Sequence, residues 1–183
     1  MFDGYTVDNF YLDPIAVRSE LLSQPFAPPH PSGRGGPAWR CTLPPNSELE
    51  RKLSDVWGFP IYSLHSEARY NLGSSSTPRG FCHSDFSVSE FTAVIYMSLP
   101  EHCQGGTNFF RHRPSKSIYY HPGLGQLNYA DPDSWELIHT VDMVFNRLTT
   151  YPSKNFHGIK RPFFGVEKEN ARLIQSIRFN RAT

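Results

Sequence analysis

Apolar residues change their spacing along this chain, and the change divides it. In the amino-terminal third they recur at helical intervals. Asp13-Pro14 reads as a helix start, because an Asp side chain can accept from free first-turn amides and Pro tolerates the first turn. Ile15, Val17, Leu21 and Leu22 then form a partial apolar stripe. Residues 25–45 hold seven prolines and three glycines and predict an irregular excursion. Ser47-Glu48-Leu49-Glu50 has capping-box form and predicts a second short helix through about Trp57.

From Ile61 onward the texture is that of strands. Phe91 to Leu99 (FTAVIYMSL) is rich in β-branched and aromatic residues and predicts a buried strand. Gly105-Gly106 precedes a short run, Thr107 to Phe110, and Asp133 to Leu137 suggests a small inserted helix capped by Asp133. Phe145 to Tyr151 and Arg172 to Phe179 are further strand candidates. Many short strands divided by turn residues argue for a sandwich or barrel. The expected class is therefore α+β and mainly β, one domain, with a helical and Pro-rich flank over 1–60 and a β core over 61–183.

Composition narrows the function. Aromatic residues make up 14% of the 183, which argues for a packed core rather than disorder. Lys plus Arg is 18 against 17 acids, a net charge of +1, so no basic excess exists to coat a nucleic acid. No apolar run approaches the length of a membrane span. The opening MFDGYTVDNFYLDP lacks a charged-then-apolar signal pattern, and Cys41, Cys82 and Cys103 form neither a disulfide framework nor a zinc knuckle. A soluble, cytoplasmic protein is expected.

The histidines carry the candidate chemistry. Two sit in His-x-acid steps, His65-Ser66-Glu67 and His83-Ser84-Asp85. Chance alone supplies nearly one such step at this acid content, so context must decide. On a strand, residues i and i+2 share a face, and His with Asp at that spacing can bind one metal. A distant His on a neighbouring strand completes a two-His-one-carboxylate set, which suits non-haem Fe(II). His157 follows Asp85 by 72 residues and closes the candidate strand at Phe145 to Tyr151. The pair His65 and Glu67 is expected to lie on a solvated strand face. His112, His121 and His139 are expected to be structural, and Cys82 to be a small buried hydrophobe. Arg111, His112, Arg113 and Lys116 form a small basic cluster expected to face solvent.

Cys82-His-Ser-Asp-Phe, Thr92-Ala-Val-Ile-Tyr-Met-Ser-Leu, Gly105-Gly-Thr, Phe156-His-Gly and a late strand opening with Arg172 come in an order that resembles the Fe(II)/2-oxoglutarate-dependent dioxygenases, most closely their prolyl-4-hydroxylase-like branch. The resemblance covers roughly Tyr70 to Phe179. It implies a double-stranded β-helix (jelly-roll, cupin-like) core, Fe(II) on His83, Asp85 and His157, and 2-oxoglutarate and O2 as cosubstrates, with ascorbate as a possible reductant. It matches Arg172 to the basic residue that holds the distal carboxylate of 2-oxoglutarate, Tyr70 to a second holder of that carboxylate, and Asn108 loosely to a cosubstrate contact. Arg172 lies fifteen residues beyond His157, farther than the family's usual spacing, and Lys168 at eleven competes for the role. Tyr70 also precedes His83 by a few residues more than usual, with Ser74 to Ser76 as the insertion.

The implied activity is hydroxylation of a C–H bond in a small or amino-acid-like molecule, with release of succinate and CO2. Three other readings stay open at this point. One is a cupin-like metal-binding isomerase or sensor, one a metal-free interaction module, and one a nucleic-acid demethylase, which the net charge disfavours.

Overall fold

A computed structural model describes residues 3–30, 37–75 and 82–182. Its elements in chain order are strand β1 (Tyr5–Val7), helix α1 (Pro14–Ser23), β2 (Trp39–Thr42), α2 (Ser47–Trp57), β3 (Ile61–Asn71), β4 (Phe91–Tyr96), β5 (Gly106–His112), β6 (Trp135–Asp142), β7 (Arg147–Pro152), β8 (His157–Lys160) and β9 (Arg172–Arg181). Both helices stand where the apolar spacing places them. Asp13 caps α1 by accepting from the Ala16 amide, while Asn46 rather than Ser47 caps α2 by accepting from Leu49. The segment at Asp133 is corrected. Only one 3-10 turn, Pro132–Ser134, forms there, capped by Asp131, and Trp135 already begins strand β6.

Among the described residues, nine strands form two antiparallel sheets. The larger runs β1-β7-β4-β9-β3-β2 and the smaller β6-β5-β8. Residues before position 60 therefore do more than pack on the core, since β1 and β2 are the two edge strands of the larger sheet. Side chains alternate across that sheet. Its outer face carries Ala68, Tyr70, Ala93, Ile95, Leu148, Leu173, Ile177 and Phe179, which pack with Leu21, Leu49 and Leu53 of the two helices. The indole N–H of Trp57 ties α2 down by donating to Thr150 Oγ1 at 3.0 Å. The inner face carries Val94, Tyr96, Tyr151 and Ile174, which meet Phe109, Val141 and Phe164 across the sandwich.

The Gly-Gly step before β5 has a steric basis. Gly105 and Gly106 hold φ of +77° and +144°, and a Cβ on either would lie 2.4 Å from the Lys160 carbonyl or 2.1 Å from that of Val141. No helix is long and apolar enough to cross a membrane among the described residues.

Candidate metal centre

His83, Asp85 and His157 converge as one group. Each offers a ligand atom, and these atoms all lie within 4.8 Å of one another. Backbone pairing explains the convergence. His83 and His157 exchange amide-to-carbonyl hydrogen bonds of 2.9 and 2.8 Å, and the Asp85 amide donates to the Ser153 carbonyl at 2.8 Å. The short 82–85 segment thus runs antiparallel to the start of β8, and the i, i+2 spacing turns both side chains to one side. Behind Asp85, the buried Ser153 hydroxyl meets those of Ser89 at 2.9 Å and Thr92 at 2.8 Å, which pins the following turn to β4 and β7.

The donor set fits a divalent cation. His157 Nδ1 lies 2.9 Å from the Asn155 carbonyl, so it carries the proton there and leaves Nε2 free as a ligand. Asp85 Oδ2 is buried without an aligned hydrogen-bond donor, although a guanidinium nitrogen of Arg178 stands 2.7 Å away. Burial alone would raise the Asp85 carboxyl, but its neighbours His157, Arg178 and His83 outweigh it and hold the group well below the carboxylate range. The His83 imidazole is shifted down by its packed surroundings, then by His157, Arg178 and Arg69. Half of that side chain is still open to water (51%), so its neighbours, rather than complete desolvation, are the firmer cause of the direction. A carboxylate and two neutral imidazoles are the ligating forms.

Arg172 opens β9 on the inner face, is 2% exposed, and has no carboxylate at ion-pair distance among the described residues. Its Nε has no hydrogen-bond partner, and its guanidinium lies 5.9 Å from the centre of the Tyr96 ring. Burial lowers its proton affinity, and the fully buried Tyr96 and Tyr151 hydroxyls are both raised, chiefly by desolvation. Tyr96 shares a 2.7 Å hydrogen bond with Thr107 on the facing sheet. A buried cation with no carboxylate beside it among the described residues can accept an anion, since a charge in such a place is otherwise costly.

Lys168, the competitor, lies on an exposed turn and donates to the Leu22 carbonyl at the end of α1. Only Arg172 of the two faces the interior. Tyr70 is corrected by strand parity. Its odd-numbered neighbours Glu67, Arg69 and Asn71 share a face with Arg172, whereas Tyr70 stacks on Trp39 and meets Phe26 on the opposite one. Asn108 likewise points away from Thr107 and Phe109 and accepts from Thr140 Oγ1 on the outside of the smaller sheet. Glu67 is not on a solvated face either. It is 5% exposed and paired with Arg69 and Arg40. Cys82 is fully buried against Phe110, Trp135 and Phe156. Arg111 and Arg113 are engaged locally, by Glu136 and by the Trp135 carbonyl. The Ser76 end of the supposed insertion and residues 77–81 lie outside the described residues.

Sequence reading passed over Tyr96 and Arg178. Tyr96 stood in the quoted strand without a role, and Arg178 lies six residues beyond Arg172, an even spacing that puts both on one face.

No family model and no curated protein sequence matches the chain. Its fold does match solved structures. The epimerase SnoN from nogalamycin biosynthesis, described as non-heme and alpha-ketoglutarate dependent, superposes with a TM-score of 0.63 at 15% identity over 98% of this chain and 79% of that one. A prolyl-4-hydroxylase from Pseudomonas putida gives 0.59 at 15% identity over 100% and 95%. HygX from Streptomyces hygroscopicus, solved with nickel and 2-oxoglutarate bound, gives 0.61 at 14% over 97% and 82%. The chain has the fold of the Fe/2-oxoglutarate-dependent oxygenases.

Proposed function

We propose that this protein is an Fe(II)- and 2-oxoglutarate-dependent oxygenase built on a double-stranded β-helix, and that it hydroxylates a C–H bond of a small or amino-acid-like molecule. The observation that carries the reading is the pairing of the His83, Asp85 and His157 group with an unpartnered, buried Arg172 in the same sandwich interior. A metal-binding sensor or isomerase that takes no 2-oxoglutarate has no use for that arginine.

In this reading His83 Nε2, Asp85 and His157 Nε2 hold the ion. Bound there, Fe(II) would supply the dioxygen chemistry that couples decarboxylation of 2-oxoglutarate to substrate oxidation. Asn155 keeps the His157 proton on Nδ1, so the ring presents its lone pair inward. Arg178 orients Asp85 from behind. Arg172, lying over the Tyr96 ring, would take the distal carboxylate of the cosubstrate by charge-assisted hydrogen bonds and so fix which end meets the metal. The apolar walls Val94, Phe109 and Ile174 keep water from the interior.

The test is succinate release from purified protein given Fe(II), ascorbate and 2-oxoglutarate, with and without oxygen. Oxygen-dependent succinate that disappears in Asp85→Ala supports the assignment. Absence of succinate, with no 2-oxoglutarate-dependent rise in melting temperature, transfers it to the metal-binding protein without oxygenase activity.

A further inference from the structure

Three arginines crowd the inner face of the larger sheet beside the metal group, and the Arg172 site does not use them. Arg40 of β2 and Arg69 of β3 are directly opposed in the antiparallel register. Directly opposed residues point to the same side of a sheet, and like charges so placed repel. Their neighbours Trp39 and Tyr70, one step along, stack on the outer face, which puts both guanidiniums on the inner one. Arg178, on β9, stands opposite His65 of β3 in the same surface.

The anions available to them are few. Glu67 is the one carboxylate paired with Arg69 and Arg40 among the described residues, directly to Arg69 and at 3.7 Å to Arg40. Arg178 is taken by Asp85, itself a candidate metal ligand. Arg40 and Arg69 keep 30% and 22% of their side-chain surface open, so the pair is reachable from solvent. The crowding shows in the ionisation of its members. Burial, then Arg40 and Arg178, push Arg69 down to about 9, and partial burial with Arg69, Arg178 and Arg40 lowers the His65 imidazole. A fold that needed only to be stable would not oppose two arginines over one carboxylate.

We infer that the substrate of this site is an anion, and that Arg40 and Arg69 hold its carboxylate or phosphate beside the metal group while the carbon to be oxidised faces the metal. The inference rests on the oxygenase reading for what happens to the substrate, but the anion site itself stands on Arg40, Arg69 and Glu67. A planar guanidinium pair presents parallel donors that suit either oxyanion.

The experiment uses the whole chain with Zn(II) in place of iron and 2-oxoglutarate at saturation, so that nothing turns over and Arg172 is occupied. Inorganic phosphate and acetate are titrated separately at constant ionic strength, with chloride as the control salt, and melting temperature is read. Saturable stabilisation by one or both, weakened about tenfold in Arg40→Gln, is the expected result. Phosphate alone stabilising points to a phosphorylated substrate, and both stabilising to a group as simple as a carboxylate. Arg40 is part exposed on a short edge strand, so its variant should fold, as far-UV circular dichroism would show. Arg51→Gln on exposed α2 should keep the full anion effect. No saturable effect of either anion, or one that Arg40→Gln leaves intact, overturns the inference. So does an effect present without 2-oxoglutarate and abolished by it, since the anion would then occupy the Arg172 site. Failure of the oxygenase reading would show instead as absent succinate in the iron-loaded assay, with this titration unaffected.

Discussion

Replacing Arg172 with Met separates a structural arginine from one that awaits a ligand. A buried arginine in a structural ion pair leaves an orphaned carboxylate when removed, at a cost of about 3–5 kcal/mol. Arg172 has no such partner among the described residues, its Nε is unsatisfied there, and its charge is buried against Tyr96. Met restores most of the volume and removes the desolvated charge, so the metal-free protein should lose no stability and should gain about 1–2 kcal/mol. Binding of 2-oxoglutarate should respond in the opposite sense. Two hydrogen bonds from a guanidinium to a carboxylate are worth about 1.5–3 kcal/mol each, so the variant should bind 2-oxoglutarate about 100- to 10,000-fold more weakly. Urea unfolding of the metal-free protein measures the first effect, and calorimetric titration of the Zn(II)-loaded protein the second. A variant that loses more than about 3 kcal/mol yet binds 2-oxoglutarate as the parent does would refute the argument, because Arg172 would then be structural.

Other substitutions probe the same frame. Tyr96→Phe removes the hydroxyl of the ring that Arg172 lies over and leaves the Thr107 hydroxyl without its 2.7 Å partner, so it should cost about 1 kcal/mol in stability and weaken 2-oxoglutarate binding several-fold by calorimetry. His83→Ala should abolish stoichiometric metal uptake, read by elemental analysis after dialysis, and retained uptake would remove His83 from the ligand set. Gly106→Ala should destabilise by about 3 kcal/mol or more or prevent folding, since its Cβ would fall 2.1 Å from the Val141 carbonyl at φ +144°, and an unchanged melting temperature would refute the packing reading. His65 is held below its ordinary 6.5, so the folded state binds its proton less readily than the unfolded chain does. Its contribution to stability is therefore present above pH 6.5 and lost as the pH falls below it, and His65→Gln should flatten the unfolding free energy between pH 7 and 5.

How much of this was legible beforehand depended on whether the signal was local. The helices announced themselves through Asp13-Pro14 and the run after Asn46, because capping is decided within four residues. Strands β4, β7 and β9 were visible as β-branched and aromatic runs, and β5 in part as the short run at Thr107 to Phe110. Strands β1, β2 and β8 were not, since three or four residues carry little periodicity and their place comes from pairing with partners far along the chain. The segment at Asp133 was misread for a related reason. Asp-Pro-Asp-Ser favours a capped turn, and the strand that follows was legible only through its partner β5.

The convergence of His83, Asp85 and His157 was legible because the i, i+2 spacing sets two of them on one side of a strand, whereas the proposed cosubstrate contacts depend on which face each strand turns inward. That parity follows from register alone. In β3 a shift of one position moves every side chain across the sheet. Tyr70 is opposed by Trp39 and Leu173, and Leu173 belongs to the outer core, so Tyr70 must face the helices. Arg69, beside it in sequence, must then face the metal group. The same rule recovers the tyrosine that does reach Arg172. Tyr96 is opposed by Ile174, two residues from Arg172, and an even separation along β9 puts all three on the inner face. With β9 placed by its register, Arg172, Ile174, Ser176 and Arg178 form one inward row whose two ends are basic. One end stands 2.7 Å from Asp85, and the other lies beside Tyr96 with no acid of its own among the described residues. The unpaired end of that row is the position at which a dicarboxylate reaching from the metal group would complete the charge balance of the interior.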